Sequence, residues 1–436
     1  MDADVLRVLR ASNPWLTDKE AFPSAAKHHI PDPFIQRIVP GAADWPRPGK
    51  AHLVVGARQV GKSSFLWNGF AERATPPLFV NAEEQLIQSW CRSPARMLED
   101  LRKLWPSHLP VLIEEAQHLD EAGLLVKGLV DGGLESPLFV TGSSSFHLGA
   151  KTRESLAGRA VRVLMHPLSL EEVSQDLDEL PPLLAVDELR TRAKRQMVFG
   201  GYPEAWLSNR SEDVLYELIE AFVIRDASDL FRIENIDAFR RLLKFLAGTT
   251  GNLSNVSDWA AVCGVSRTAI HNYLSILEES HLIQMVPPFI GGKRAEISKR
   301  PKLYFCDTGI LNGMAGQFIP FDQHPNRGPL FENWVAAELA KHESRLTPPE
   351  SIRFWRTKSK AEVDFVVETR NGITGIEVKS TEMKRPKLSR SSHSFIEAYN
   401  PNTFYVINLS LEAEQRIGQA TVRWVGPEFS IRLPFI

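Results

Sequence analysis

The chain has 436 residues, of which 43% are hydrophobic and 24% are charged, and its formal net charge is −2. This composition is that of a globular protein, the length predicts roughly two to four domains, and the near-neutral total charge does not by itself indicate a nucleic-acid-binding protein. No stretch reaches the roughly 18 consecutive apolar residues of a membrane span, and Met1–Arg10 lacks a signal-peptide profile, so we expect a cytoplasmic protein without a membrane partner.

Short apolar runs alternate with helical sequence in the first third of the chain, after an N-terminal extension over residues 1–45. The runs are "AHLVVG", "PPLFV", "LPVLIEE" and "SPLFVTG". Short apolar runs separated by helices are typical of a parallel, doubly wound sheet. We therefore predict an α/β core over residues 46–168.

A glycine-bounded loop follows the first of these runs, in "GARQVGKS", and matches G-x-x-x-x-G-K-[ST] in full. The backbone N–H groups of such a loop surround phosphates, the lysine reaches the β- and γ-phosphates, and the serine hydroxyl binds Mg²⁺. The sequence therefore predicts ATP and Mg²⁺ as cofactors. The predicted nucleotide-binding residues are Gly56, Ala57, Arg58, Gln59, Val60, Gly61, Lys62, Ser63, Ser64 and, further along the chain, Ser143.

Two adjacent acids end the apolar run in "VLIEEAQHLD". In hydrolytic P-loop proteins one acid at such a strand end holds Mg²⁺ and the next polarises the attacking water. Glu114 and Glu115 fill these positions, although aspartate is usual at the first and Glu114 is one methylene longer. The alternative is a pair of solvated carboxylates at a strand end.

Two further positions are candidates near the nucleotide. Ser143 or Ser144 in "TGSSS" could contact the γ-phosphate or orient water, or could belong to a plain turn. Arg159 in "SLAGRAVR" is placed where an arginine could reach the nucleotide of a neighbouring subunit, or it is an ordinary surface arginine.

The sequence predicts helices in the middle of the chain. The pattern predicts an all-α lid over residues 169–250 and a winged helix over residues 251–305. In the latter segment Gly264 supplies the turn and Ser266 caps the second helix. The stretch "GGKRAEISKRPKLYF" follows as a wing hairpin.

Residues 306–436 predict a mixed α/β domain with its own core. Its strand-like runs include "AEVDFVVETRNG" and "ITGIEVKS". Alternation places Glu377 and Lys379 on one face of their strand, as a salt bridge or as half of a metal site. Asp364 lies between valine and phenylalanine, where a carboxylate is costly to bury unless it is paired or bound to metal.

Together these stretches resemble the AAA-type ATPases of bacteria and archaea that carry a C-terminal restriction-endonuclease-like domain of poorly assigned role. The resemblance covers nearly the whole chain and rests on "GARQVGKS", "EEAQ", "TGSSSF", "SLAGR", "HPLSLEE", "GGYPE", "CDTGI", "LFENWVAAEL", "EVDFVV" and "IEVKS". It implies a P-loop AAA-type ATPase core with a parallel sheet, a helical lid, a winged helix and a mixed α/β nuclease-like end.

The acids and lysine of the last domain resemble the site of PD-(D/E)xK nucleases, including archaeal Holliday-junction resolvases. The resemblance implies catalytic roles for Glu332, Asp364, Glu377 and Lys379, with Asp364 and Glu377 as Mg²⁺ ligands. Glu362 and Glu338 are the substitutes if the register slips. The alternative is a buried network in a nuclease-derived fold that no longer cuts.

Three groups of residues are candidates for contacting DNA. The first group is at the exposed positions of the second helix of the predicted winged helix. The second is in the predicted wing, and the third is in a segment near the acids. They are Arg267, Thr268, His271 and Asn272; Lys293, Arg294, Lys299, Arg300 and Lys302; and Lys384, Arg385, Lys387 and Arg390. The alternative is a winged helix that only packs against its neighbours.

These observations predict an ATP-dependent DNA-processing protein that assembles into a homo-oligomer, such as a ring, with ATP sensed through Arg159. DNA is the expected partner, and the resemblance to resolvases makes branched DNA the preferred form. The alternative is a signalling NTPase switch whose inactive nuclease-like domain binds protein or DNA.

Overall fold

The computed structural model describes residues 1–39, 42, 45–142, 156–222, 233–292, 300–343, 351–369 and 372–431. The chain forms two compact units, Met1–His166 and Pro167–Ile436. Among the described residues, no helix combines the length and the apolar character that crossing a membrane requires. The finer domain boundaries inside the second unit stay predictions.

The first unit is built on a five-stranded parallel sheet with the strand order β2-β3-β4-β1-β5. The strands are β1 (Ala51–Val55), β2 (Leu78–Asn81), β3 (Val111–Glu114), β4 (Leu138–Gly142) and β5 (Ala160–Leu164). Its helices are α1 (Ala3–Ser12), α2 (Ala21–Lys27), α3 (Lys62–Glu72), α4 (Gln85–Cys91), α5 (Pro94–Leu104) and α6 (Ala122–Asp131). The predicted α/β parallel sheet is confirmed.

The strand order places the chemistry of this unit at one edge of the sheet. Every residue of β1, β3 and β4 is buried, as expected of strands covered on both faces. Since β4 lies between β1 and β3, the loop after β1 and the ends of β3 and β4 meet at the carboxyl edge. Ligands of open α/β sheets bind at such edges.

The N-terminal extension packs into the first unit. The side chain of Asn13 accepts a hydrogen bond from the backbone N–H of Phe79 at 2.6 Å and donates one to its carbonyl at 2.9 Å. The indole of Trp15 donates to the carbonyl of Pro77 at 2.8 Å. These contacts satisfy backbone groups of the edge strand β2, which would otherwise be open to pairing with another chain.

The second unit begins with helices and contains a helix–turn–helix. The helices are α7 (Pro182–Phe199), α8 (Pro203–Leu207), α9 (Ser211–Ala221), α10 (Ile236–Gly248), α11 (Val256–Cys263) and α12 (Arg267–Glu279). Gly264 ends α11 in the left-handed conformation, and the Ser266 hydroxyl accepts a hydrogen bond from the N–H of Ala269 at 3.1 Å. The predicted turn and cap are therefore present. The strands β6 (Ile283–Val286) and β7 (Lys302–Phe305) follow as an antiparallel pair.

The second unit ends in a six-stranded mixed sheet with the order β12-β13-β11-β10-β9-β8. Its strands are β8 (Ser351–Arg356), β9 (Glu362–Thr369), β10 (Gly372–Val378), β11 (Thr403–Ile407), β12 (Ala413–Ile417) and β13 (Ala420–Val425). The helices of this part are α13 (Thr308–Ala315), α14 (Arg327–Glu343) and α15 (Arg390–Tyr399). The core beside β9, β10 and β11 contains the buried rings of Trp355, Phe395, Phe404 and Trp424.

Candidate functional site

The phosphate loop joins β1 to α3 and depends on two glycines. Gly56 has φ of 152° and Gly61 has φ of 92°, both disfavoured for residues with a side chain. A Cβ atom at Gly56 would also collide with the backbone carbonyl of Met165. The loop thus requires glycine at both signature positions, and α3 begins at Lys62 with its N-terminus at the loop.

Lys62 lies within the loop and is buried. Its ammonium donates to the backbone carbonyls of Ala57 at 2.8 Å and Gly56 at 3.2 Å. These two carbonyls hold the ammonium within the loop, beside the N-terminus of α3. The nucleotide-binding roles of Ala57, Arg58, Gln59, Val60 and Ser64 stay predictions.

Glu114 ends β3 and is 8% exposed. Its Oε1 makes no hydrogen bond to any described residue. Burial raises the pKa of this carboxyl to about 7, and the charge of Glu115 adds to the effect, while Ser63, Trp67 and Lys62 oppose it. A buried, unpartnered carboxylate oxygen beside the Ser63 hydroxyl is a donor set of hard oxygens that fits Mg²⁺.

Glu115 follows in the left-handed conformation, with φ of 55°. Its backbone N–H donates to the Thr141 hydroxyl at 3.3 Å, and the Gln117 amide donates to its carboxylate. Ligand atoms of Glu83, Glu115 and His118 lie within 4.8 Å of one another. The second predicted acid is therefore fixed by β4 through Thr141, a residue that sequence reasoning missed.

Arg37 contacts the phosphate loop, and the sequence analysis did not predict this contact. Its guanidinium donates to the carbonyl of Val60 at 2.5 Å and to that of His166 at 2.7 Å. An isolated arginine in a loop carries no signal in the sequence.

Two predictions near the nucleotide concern other residues. Ser143 and Ser144 lie outside the described residues. Arg159 pairs with Asp131 on α6 at 2.6 Å.

The acid cluster, which we define as Glu332, Glu362, Asp364 and Glu377, lies in the second unit. Strands β9 and β10 form a hairpin in which Ile376 is opposite Phe365, so Glu377 comes next to Asp364 one step further along. The backbone N–H of Val378 donates to Asp364 Oδ2 at 2.7 Å. The predicted hairpin thus brings these two acids to adjacent strands.

Glu377 is buried and hydrogen-bonded through both oxygens. Its Oε1 lies 2.5 Å from the ammonium of Lys379, which shows the two side chains on one face of the strand. Its Oε2 accepts from the hydroxyl of Ser389 at 3.1 Å and from that of Ser392. Ser389 is also the N-cap of α15, so the cap and the acid share one hydroxyl. Neither serine was predicted.

Glu332 and Glu362 share a lysine from a third element. Lys302 Nζ lies 3.0 Å from Glu332 Oε1 and 2.5 Å from Glu362 Oε1. The Tyr304 hydroxyl donates to Glu332 at 2.6 Å, and Arg356 lies 2.8 Å from Glu362. The prediction that Lys302 contacts DNA phosphates is therefore wrong, because the side chain is buried among carboxylates.

The electrostatics of the acid cluster follow from burial and like charge. Burial raises the pKa of Asp364 to about 8, with Glu332 and Glu377 adding to the effect and Lys302 opposing it. Burial alone would lower the pKa of Lys302, but Glu332, Asp364 and Glu362 outweigh it and raise that pKa. Glu338, a possible substitute in the prediction, instead pairs with Lys341 at 2.7 Å.

Residues from all three predicted DNA-facing groups lie on the surface. The exposed residues are Arg267, Thr268, His271 and Asn272 on α12, Arg300 before β7, and Lys384, Arg385, Lys387 and Arg390 before and at the start of α15. Lys293, Arg294 and Lys299 lie outside the described residues. The last exposed group adjoins the acid cluster through Ser389.

Comparison with known proteins divides the chain into three matched regions. Residues 48–174 match the model of an AAA domain. Residues 190–319 match a domain of unknown function, DUF8612, and residues 327–425 match another, DUF4143. The first unit has the fold of an AAA-type P-loop core. This match supports ATP binding and hydrolysis.

The chain is also similar to whole proteins from bacteria and archaea. An uncharacterized protein of Mycobacterium tuberculosis is 27% identical over 348 residues, which cover 78% of this chain and 72% of the relative. One from Methanocaldococcus jannaschii is 24% identical over 333 residues, covering 73% of this chain and 72% of that protein. The similarity therefore extends well beyond the AAA domain.

Two solved structures were compared with the chain. Cdc6p from Pyrobaculum aerophilum is 12% identical, with a TM-score of 0.25 over 67% of this chain and 96% of that chain. AMPPCP-bound DnaA from Aquifex aeolicus is 14% identical, with a TM-score of 0.22 over 53% of this chain and 82% of that chain. Both TM-scores are too low to serve as evidence of a shared fold.

Proposed function

We propose that the protein is an ATP-dependent DNA-processing ATPase. The observation that carries the ATPase part is the complete phosphate loop between β1 and α3, with Glu114 and Glu115 at the carboxyl end of β3 in the same sheet. The exposed basic residues near α15 and the exposed polar face of α12 support the DNA part, because DNA-binding proteins use such groups to contact phosphates and base edges.

Residues of the loop and of the end of β3 have different roles toward the nucleotide. Lys62 and the backbone N–H groups at the start of α3 bind and orient the phosphates, and Ser63 and Glu114 would hold Mg²⁺. The metal ion, when bound, neutralises negative charge on the phosphates. Glu115, held in place by Thr141 and Gln117, accepts a hydrogen bond from water and orients it.

The test is ATP hydrolysis by the full chain, alone and with four-way, forked and linear DNA. We expect Lys62→Ala to lower the rate by roughly 100-fold or more, because the removed charge acts on the transferring phosphate. Lys103→Ala is the matched control, since that lysine is exposed on α5 and pairs with Glu99 one turn away.

The DNA arm of the experiment separates the proposal from its rival. We expect DNA to stimulate hydrolysis, with branched DNA more effective than linear DNA. Hydrolysis that depends on Lys62 but that no DNA structure stimulates would contradict the DNA part and would favour a signalling switch.

We further propose that the acid cluster handles DNA phosphates, and that it cuts DNA with Mg²⁺ when its carboxylates are released from Lys302, which contacts them in this structure. The specific observation is the contact of Glu377 with Lys379 on one strand face, beside Asp364, whose pKa is raised to about 8. Strongly shifted carboxyls that are clustered with a lysine are typical of functional sites. The cluster also adjoins the exposed basic residues before α15.

Cleavage of four-way, forked and linear DNA with Mg²⁺ or Mn²⁺ tests this second role. We expect the double substitution Glu377→Ala and Lys379→Ala to abolish cutting, because it removes an acid and the amine that would orient water. The matched control is Glu414→Ala with Arg423→Ala, an exposed acid–base pair at 2.8 Å in the same sheet. Cutting that survives the first variant would rule out this site.

A further inference from the structure

The acid cluster already contains a cation supplied by the chain. Lys302 is 2% exposed, and its ammonium contacts carboxylate oxygens of Glu332 and Glu362. Lysine is rarely buried this completely unless its charge is compensated. The cation comes from β7, far in sequence from the strands that carry Glu362 and Asp364.

The backbone of β7 fixes where this ammonium lies. Lys302 pairs with Val286 of β6 on one side and forms a bridge to Leu253 on the other. The side chain therefore reaches the acids from a position set by main-chain hydrogen bonds. The pairing of β6 with β7 therefore determines which carboxylates the Lys302 ammonium can contact.

Each of the three acids predicted to be catalytic in this cluster has at least one oxygen engaged by a protein donor. Glu332 Oε1 is bound by Lys302 and Tyr304, Asp364 Oδ2 accepts from Val378, and both oxygens of Glu377 are bound. Within the described part of the chain, only Glu83, Glu115 and His118 bring three such ligand atoms within 4.8 Å. The acid cluster as arranged does not fit a divalent ion.

We infer that the Lys302 ammonium is the resident cation of the acid cluster and that it excludes a divalent metal ion while it is in place. The cluster holds four carboxylates, and Lys302, Arg356 and Lys379 supply three cationic groups in contact with them. A second cation would have to compete with an ammonium already in place. Only displacement of this ammonium would make the carboxylates of Glu332 and Glu362 available to a metal ion.

This inference rests on the proposed role of the acid cluster, but its test needs neither ATP nor DNA. Mn²⁺ binding to the full chain is measured without nucleotide by electron paramagnetic resonance, for the wild type and for Lys302→Met. We expect the variant to gain a site roughly tenfold or more tighter than any site the wild type shows at the cluster. Adding Glu332→Gln to this variant removes the gain.

Lys194→Met is the matched control. That lysine is partly exposed in the same unit and lies 2.9 Å from Asp322, so its loss also frees a carboxylate. We expect no new Mn²⁺ site in this variant. A gain equal to that of Lys302→Met would show a general effect of charge and would overturn the inference.

The wild type provides an independent check if Lys302→Met does not fold. We expect Glu332→Gln to leave the Mn²⁺ titration of the wild type unchanged, and Lys302→Arg to bind no more Mn²⁺ than the wild type. Wild-type Mn²⁺ binding that Glu332→Gln removes would overturn the inference directly. ATP hydrolysis is measured in a separate experiment. Neither outcome of the Mn²⁺ titration therefore tests the ATPase proposal.

Discussion

Glu114 shows how burial changes the chemistry of an acid at a strand end. An acid at this position is expected to stay ionised and hold Mg²⁺. Here the longer side chain is buried with one oxygen lacking a hydrogen-bond partner among the described residues, so its pKa rises to about 7. Without a metal ion, the carboxyl retains its proton up to near-neutral pH, and Mg²⁺ binding must displace that proton.

The raised pKa predicts a pH dependence of stability. Burial favours the neutral carboxyl, so the folded chain holds a proton that the unfolded chain loses from about pH 4.5, the ordinary value, up to about 7. The folded state binds more protons in this range, so the free energy of unfolding falls as the pH rises, by about 3 kcal/mol for this group.

Denaturant unfolding of nucleotide-free wild type and Glu114→Gln at pH 5 and pH 8 checks this prediction. The glutamine variant cannot ionise, so the wild type should lose stability relative to it between the two values. Equal pH dependence of the two proteins would show that Glu114 does not titrate in this range. The matched control is Glu99→Gln, a substitution of an exposed acid on α5.

At the scale of residues, the sequence identifies a loop where the defining pattern is local. Lys62 and Gly61 belong to a loop whose spacing alone defines a phosphate site, and the structure places them together. Lys302 shows the opposite case, since its sequence neighbours are basic and suggest an exposed wing. Its burial depends on the pairing of β7 with β6 and on the position of α14, which no local pattern encodes.

At the scale of elements, the stretches "GGYPE" and "CDTGI" are explained by packing. Asp307 caps α13 by accepting from the N–H of Ile310 at 3.1 Å, and it also accepts from the N–H of Gly201 at 2.7 Å. A Cβ atom at Gly200 would collide with this carboxylate, and one at Gly309 would collide with the carbonyl of Phe199. The two stretches therefore interlock, which is a structural role.

This interlock predicts a large stability effect at one residue. Asp307→Ala leaves two buried N–H groups without acceptors, so we expect it to cost about 2 to 4 kcal/mol of unfolding free energy. Asp307→Asn keeps an acceptor and should cost less. Denaturant unfolding measures both.

The matched control for the Asp307 variants is Ser266→Ala. This substitution removes the exposed cap of α12 and should cost about 1 kcal/mol. An equal cost for Asp307→Ala and Ser266→Ala would show that the second acceptor contact, to Gly201, contributes nothing.

Some features of the elements depend on local sequence, and others depend on long-range pairing. The turn of the helix–turn–helix was predictable because Gly264 and Ser266 act within a few residues. The order of the six-stranded sheet was not, because β11 pairs with β10 and β13 across long connections. Hydrophobic patterns identify strands, but they do not specify which strands are neighbours.

At the scale of the whole molecule, Arg159 is the residue through which the proposed assembly can be examined. It pairs with Asp131 at 2.6 Å, and both side chains are at least one third exposed. An exposed ion pair of this kind contributes little to stability. The pair is therefore weak enough to open, and in the ring predicted from the sequence Arg159 would face the nucleotide of an adjacent subunit.

A mixing experiment distinguishes a shared site from a surface arginine. Lys62→Ala and Arg159→Ala should each be inactive, but an equimolar mixture should recover about a quarter of wild-type hydrolysis, because about a quarter of randomly formed interfaces pair an intact loop with an intact arginine. Asp131→Ala is the matched control, since it opens the ion pair and keeps the arginine, and it should retain activity. A mixture as inactive as its components would exclude a site completed by the neighbour, and full activity of Arg159→Ala alone would make this arginine an ordinary surface residue.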